Sequence, residues 1–328
     1  MSDLPSSPAS PFHAGEQHWQ TRVGLREQVE SIGQRVVRDH MPQQHQDFFA
    51  LLPFVVVGTL DAQGRPWASA LCGAPGFAHA PDAWHLRLDA AFLADDPAAA
   101  GWHAGAQVGL LGIQPPTRRR NRLNGTLAHL GTDGATVDVR QSFGNCPKYI
   151  RQRDAQALTP AQQQALPPLQ PAMHEGHLTD TARAIVQSAD TFFIASSSPR
   201  AQDSAGQLAR GEGVDVSHRG GPPGFVSLHD AADVGTPPSL SWPDFVGNNM
   251  FNTLGNIEVQ PWVGLLFMDP HTQGWLWLQG QAQVREEAHA QGTRRRTHVQ
   301  VHTGWHRPAG GLVWGPLLAE PDTPGERT

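Results

Sequence analysis

Four short blocks recur in the same order in the two halves of this chain, and that internal repeat constrains its fold more than any single motif. FVVVGTLD at 54–61 is answered by FFIASSSP at 192–199, GAPGF at 73–77 by GPPGF at 221–225, VGLLG from Val108 by VGLLF from Val263, and RLNG at 122–125 by WLQG at 277–280. The interval from Val108 to Gly125 equals that from Val263 to Gly280. Chance supplies one such pair; four in register imply one unit present twice. Each half reads as about six short strands with one crossover helix, too many for an open hairpin stack and suited to a small closed barrel. The expectation is a mainly β protein, two barrels in tandem.

Composition agrees. The 34 glycines and 28 prolines among 328 residues call for many turns and short strands rather than long helices. A formal net charge of -6 speaks against nucleic-acid binding. The local clusters RRRNR at 118–122 and Arg294–Arg296 remain; within the first, Arg118–Arg120 suit the 2'-phosphate of NADPH, a negatively charged partner or simply a solvated loop. Cys72 and Cys146 cannot form a disulfide framework, and neither they nor the 17 histidines show zinc spacing; His174 and His177 come nearest, so no metal is expected. The N-terminus has no leader character and no apolar run is long enough to cross a bilayer, so a cytoplasmic protein is expected, without membrane or nucleic-acid partners.

Along the chain, a Ser/Pro-rich arm is followed by helical spacing at Val29, Ile32, Val36 and Val37, with Pro42 as a stop. A second short helix is expected over 43–52. A hairpin over 54–73 turns at Asp61-Ala62-Gln63-Gly64. WHLRLD reads as a strand, AAFLADDPAAAGWHAG as a helical crossover, VGLLGI as a buried strand and RRRNRLNGTLAHL as its partner. GATVDVRQSF is a strand, leading through Gly144-Asn145-Cys146-Pro147 to a helix start near Lys148. The Gln-, Ala- and Pro-rich stretch 152–171 connects the halves, part helix and part loop, and a helix capped by Thr179 follows to Ser188.

The stretch 241–269, SWPDFVGNNMFNTLGNIEVQPWVGLLFMD, carries the most chemistry. Asn248, Asn249, Asn252, Thr253 and Asn256 recur at spacings that gather several on one side of a helix start. Free backbone N–H groups and neutral donors there make a seat for a phosphate, the alternative being asparagines that only cap and turn the chain. Trp262 to Met268 then reads as a strand covered on both faces.

The order FFIAS, VDVSHRGGPPGFV, DFVGNNMFNTLGNIEVQPWVGLLFMD, LWLQGQAQV resembles the FMN-binding split-barrel superfamily named after pyridoxamine 5'-phosphate oxidase, and within it the duplicated bacterial flavoproteins. The resemblance runs over roughly 12–314 and is most specific at GNCPKYIRQR, SHRGGPPGF and NNMFNTLGN. It implies tandem FMN-binding split barrels forming an intrachain pseudo-dimer: an arm and helix over 1–45, a first barrel over 46–150, a connection over 151–185, a second barrel over 186–316 and a flexible tail over 317–328. It also implies an FMN phosphate held by Ser217 and Arg219 with Asn248, Asn249, Asn252, Thr253 and Asn256. Arg219 suits phosphate through two parallel hydrogen bonds, and Gly220 and Gly221 would let backbone approach the ligand. AAFLADDPAAAGW in the first half lacks the Asn/Thr set, so one phosphate site per chain is expected. Where pyridoxamine phosphate oxidases carry a Ser-Arg-Lys type cluster, this chain has Phe251-Asn252-Thr253, which speaks against vitamin B6 synthesis.

The implied activity is an FMN-dependent oxidoreductase that passes electrons from NAD(P)H or a reduced small molecule to oxygen or another acceptor. Alternatives are a haem-binding split barrel or a non-catalytic FMN electron-transfer subunit served by a separate reductase. A monomeric pseudo-dimer or a homodimer would suit the fold. GxGxxG, GxSxG and Walker A signatures are absent, so a nicotinamide would dock transiently. No catalytic acid or base is nominated. Cys146 is either a thiol near the flavin or a buried small hydrophobe; Lys148, Tyr149 and Arg151 either reach a ligand or lie on the surface. Trp242, Trp262, Trp275, Trp277 and Trp305 read first as packing, with stacking on a flavin as the alternative.

Overall fold

Asp61 sets the first reversal: its side chain accepts from the backbone N–H groups of Gln63 and Arg65, both at 2.9 Å, and ties down the turn. Strand β1 (Phe54–Leu60) thereby folds back on β2 (Pro66–Cys72). The computed structural model describes residues 9–202, 208–229, 236–289 and 292–319. The first half continues through β3 (Ala78–His79), β4 (His85–Leu88), β5 (Gln107–Gln114), β6 (Arg119–Gly131) and β7 (Gly134–Gly144). After β8 (Gln152–Ala157) and the short β9 (Gln170–Pro171), β10 (Met173–His174) and β11 (His177–Leu178) comes a second series. It comprises β12 (Thr191–Ser197), β13 (Val214–Gly220), β14 (Ser227–His229), β15 (Ser239–Pro243), β16 (Trp262–Met268), β17 (Trp275–His289) and β18 (Gly292–Arg307). β19 (Leu312–Ala319) returns to pair with β8 across the two halves.

Both sheets follow one order. The first runs β2-β1-β5-β6-β7-β4-β3 and the second β13-β12-β16-β17-β18-β15-β14, with β9 attached to β18. Seven strands therefore stand in each half's ordered path, one more than expected, because pieces as short as Ala78–His79 leave no periodic signal. The ladders also correct one block of the repeat. Val108 faces Gly125 and Val263 faces Gly280, as the matched motifs require. On the neighbouring strands, Val56 faces Leu111 and Phe193 faces Leu266, so Phe54 corresponds to Thr191 rather than to Phe192. Both strands are covered along nearly their whole length, so polar alternation could not fix the register.

That double burial has a simple source. Val55 and Val57 join a cluster inside the first sheet, and Phe192 and Ile194 one inside the second. Phe54, Val56, Phe193 and Leu266 belong to a third cluster that also holds Trp275 and Trp277 and welds the halves together. At the crossing the backbones touch. A methyl group on Gly109 would lie 2.8 Å from the Val214 carbonyl oxygen, and one on Gly264 would lie 2.5 Å from that of Pro66.

The helices are α1 (Ala14–Arg22), α2 (Arg26–Val36), α3 (Gln43–Phe49), α4 (Pro160–Gln164), α5 (Asp180–Ser188) and α6 (Asn252–Val259). The first helical stretch is broken at Gly24, whose φ is +72°. The crossover expected in AAFLADDPAAAGWHAG is only a 3-10 turn at Ala99–Gly101, since Asp95 is left-handed and the Asp96 carboxylate takes the Ala98 N–H at 2.9 Å. The helix expected near Lys148 does not form: Tyr149 has φ 65° and the chain extends into β8. Stretch 152–171 contains that strand as well as α4. Thr179 caps α5 as anticipated. The expected tail is paired strand up to Ala319, while 320–328 and the first eight residues of the arm lie outside the described residues. Among the described residues no helix is long and apolar enough to cross a membrane.

Gly109→Ala and Gly264→Ala should each lower stability by about 1–3 kcal/mol through overpacking against backbone that cannot yield. Gly247→Ala, which meets open space, should leave it nearly unchanged. Urea denaturation of the three variants reads this directly; equal midpoints would refute the close approach.

Candidate functional site

Arg122 is a cation in a strand that the rest of the fold buries, with its side chain only 6% exposed. Its guanidinium reaches from the first half into the second. Nη1 donates to Asn252 Oδ1 at 2.7 Å, Nη2 donates to Ser217 Oγ at 2.5 Å, and Asp215 Oδ1 lies 3.2 Å away. Thr253 Oγ1 donates to the same Ser217 hydroxyl at 2.9 Å. Two positions along β6, Arg120 Nη1 lies 3.0 Å from Nδ1 of His218.

All of these groups except Asp215 line a cleft of about 130 Å³ between the halves, together with Arg219, Asn145, Cys146, Asn248, Asn249 and Arg295. Four guanidinium groups line it against one carboxylate, Asp244, which Arg295 already contacts at 3.0 Å. Burial and the neighbouring guanidinium groups of Arg122 and Arg219 pull Arg120 down to about 10. Burial also lowers Arg219, with Asp244 working against that shift. His218 stands well below the ordinary histidine value because it is buried and faces Arg120 and Arg219; it is neutral at pH 7. A neutral ring that accepts the Arg120 proton at Nδ1 carries its own hydrogen on Nε2.

Several polar atoms here are buried without a protein partner: Arg120 Nε, Arg122 Nε, Asn145 Nδ2, His218 Nε2 and Asp215 Oδ2. All but the last belong to cleft residues and all but the last are donors, as a site built to receive an anion requires. α6 begins at the same place with no side-chain cap, its first residues Asn252, Thr253 and Leu254 lining the cleft. Its free N–H end adds to the positive field.

Of the eight residues singled out in the sequence, the cleft gathers Ser217, Arg219, Asn248, Asn249, Asn252 and Thr253. It does not gather Asn256, whose Oδ1 lies 2.9 Å from His13 Nε2 while its amide donates to Ser196 at 3.0 Å; both ends tie α6 to its surroundings. Gly220 is not at the cleft either: a side chain there would strike the Tyr149 carbonyl at 2.1 Å, so the close approach is to the chain's own backbone. Cys146 is half-buried and lines the cleft rather than packing in a core. Tyr149 stacks on Phe245 at 5.2 Å, Arg151 donates to the Gly221 carbonyl at 3.1 Å, and Lys148 is exposed. Trp242, Trp275 and Trp277 are fully buried core.

Sequence reasoning missed Arg122 at this site and placed Arg120 only in a basic run suited to another anion or to a solvated loop. The clue was the match of RLNG to WLQG, which sets Arg122 on a covered strand at the place of Trp277. The same correspondence explains why the cleft has no twin. Ser69 stands where Ser217 does, but its hydroxyl donates to Asp96 and accepts from the Trp277 indole N–H at 3.1 Å. Burial pushes Asp96 up to about 7, and two tryptophans replace the two arginines, leaving no place for an anion. Among the described residues no group of three or more His, Cys, Asp or Glu could hold a metal ion.

A further carboxyl touches the site from α1. Glu16 accepts from the Asn252 amide and, at 2.8 Å, from the His13 N–H. Burial outweighs both bonds and pushes it up to about 8. Folded, Glu16 keeps its proton to about pH 8, whereas unfolded it loses it near 4.5, so stability should fall as the pH rises between those values. Glu16→Gln should flatten that decline in urea titrations at stepped pH, with a residual slope from Asp96 and Asp215, which shift the same way. An unchanged slope would show that Glu16 is ionised throughout.

No family model matches the sequence, and no curated protein matches it. Solved structures do show similarity. HupZ of Group A Streptococcus is 14% identical, with 32% of this chain and 93% of that one covered and a TM-score of 0.26. A putative pyridoxamine 5'-phosphate oxidase from Lactobacillus delbrueckii is 16% identical over 32% of this chain and 95% of its own, with a TM-score of 0.26. HutZ, described as the heme storage protein from Vibrio cholerae, is 13% identical over 30% and 88%, with a TM-score of 0.22. These scores are low, and the properties of the cleft rest on its own geometry. Each of these structures is similar to about a third of this chain.

Proposed function

We propose that this chain is a flavoprotein built of two tandem split barrels, over 46–150 and 186–316, that holds one FMN by its phosphate in the arginine-lined cleft and acts as an oxidoreductase. The observation that carries this reading is the convergence of Arg120, Arg122 and Arg219, two with an unpartnered buried Nε, on the Ser217 and Thr253 hydroxyls and the uncapped start of α6. Buried like charges repel and lose hydration, and a dianionic phosphate offsets both effects. In this reading the three arginines, Ser217, Asn248, Asn252 and Thr253 hold the phosphate, and the His218 N–H adds a neutral donor. A protonated Nε2 disfavours His218 as an axial haem ligand.

A bound flavin would supply two-electron transfer between NAD(P)H or a reduced small molecule and oxygen or another acceptor. The chain's part is to bind and orient it. The electrons come from a nicotinamide that docks transiently or from a separate reductase, and the intrachain pairing of barrels lets a monomer suffice.

Purified protein reconstituted with FMN should show a flavin spectrum with one FMN per chain. Arg122→Ala should weaken FMN at least about tenfold, the cost of removing one charge-assisted phosphate contact, with Arg219→Ala and Asn252→Ala also weakening it. Inorganic phosphate should compete. A chain that ignores added FMN overturns this reading, and a Soret band on the protein as isolated would replace it with haem binding.

A further inference from the structure

The first half carries a much larger cleft, of about 1080 Å³, walled by Leu51, Pro53, Phe77, Ala91, Phe92 and Leu158. Such a volume stands just above the roughly 300–1,000 Å³ typical of small-molecule pockets. Strand correspondence shows how it arises. Leu88 faces Ala135 on β7 and Trp242 faces Thr297 on β18, so Ala91, three residues on, corresponds to Phe245. Arg122 faces Phe143 and Trp277 faces Trp305, so Gly311 corresponds to Tyr149. The contacts agree: a side chain on Gly220 would meet Tyr149, and one on Gly311 would meet Cys72, the counterpart of Gly220. In the second half Phe245 and Tyr149 stack at 5.2 Å and cover the surface beside the polar cleft. At the equivalent place Ala91, which has no ring, lines the large cleft, while Gly311 is not among its walls and sits against Cys72.

Its chemistry is the reverse of the polar cleft's. No arginine, lysine or histidine lines it. The charged lining groups are Asp89, bound to Arg87 at 2.7 Å, and Asp154, while Gln114, Gln156 and Thr159 offer neutral hydrogen-bonding groups. The Cys72 thiol at its wall is pushed well up by burial and stays protonated. With Asp89 already paired and no cation in the lining, nothing there holds an anion, and the apolar walls reward an uncharged body. We propose that this cleft is a second ligand site, for an uncharged, largely apolar small molecule, independent of the cofactor reading above.

Nile red, neutral and fluorescent in apolar surroundings, tests this on the full chain. It should bind saturably, about one per chain, and the anionic 8-anilinonaphthalene-1-sulfonate should bind at least about tenfold more weakly. Ala91→Phe and Ala74→Trp fill the cleft from two exposed positions that should not disturb folding, and each should weaken Nile red at least about tenfold while leaving FMN binding unchanged. Absence of saturable binding, binding unaffected by both substitutions, or displacement of the dye by inorganic phosphate overturns the proposal. Equal binding of the two dyes overturns its charge assignment.

Discussion

The backbone contact at Gly109 and Gly264 underlies everything else in this molecule. At each glycine a strand of one half passes against a strand of the other with no room for a methyl group. That closeness sets Phe54, Val56, Phe193 and Leu266 into one shared cluster, and it sets Arg120 and Arg122 of β6 against Ser217 and Arg219 of β13. A separation of even one side-chain layer would leave the arginines in solvent and the cleft without its cations. The arginine-lined cleft is thus a by-product of how the halves dock.

Docking two like-ordered sheets offers two equivalent places for a ligand, and this chain has made them unequal. At one place arginines, a serine and a threonine meet an uncapped helix start. At the other, tryptophans fill the space, a buried carboxyl bonds the matching serine, and Ala91 stands where Phe245 does at the first. The exchange is consistent in energy. Buried arginines stay stable only near an anion or carboxylate, whereas buried tryptophans stabilise the interface by area alone. One half of the interface is therefore built for stability, while the other keeps buried donors in want of a partner.

The residues that were easiest to read were those whose role is local. Asp61 and Gly64 announce a turn, Thr179 announces a helix start, and Trp262 to Met268 reads as a covered strand. Asn248, Asn249, Asn252 and Thr253 were legible as a donor cluster because they share one helix start. Harder were residues whose meaning lies in distant chain. Asn256 looks like its neighbours in sequence, yet His13, more than two hundred residues away, occupies it. Arg120 and Arg122 resemble a solvated basic run until β13 is laid beside them. The crossover helix and the turn at Tyr149 failed for another reason: left-handed backbone at Asp95 and Tyr149 leaves no mark in periodicity.

Taken alone, the sequence determined that the chain is mainly strand, that four blocks recur in order in its two halves, and that one half carries a set of neutral donors at a helix start; repeats, turn residues and hydrophobic runs are local properties that survive without coordinates. Only the tertiary structure decided the register of β1 against its counterpart, which arginines face the donors, and which of the two equivalent places is filled by tryptophan. The reason is physical. Strands buried on both faces carry no alternation to fix their register, and the field within a cleft is a sum over charges brought together from both halves of the chain.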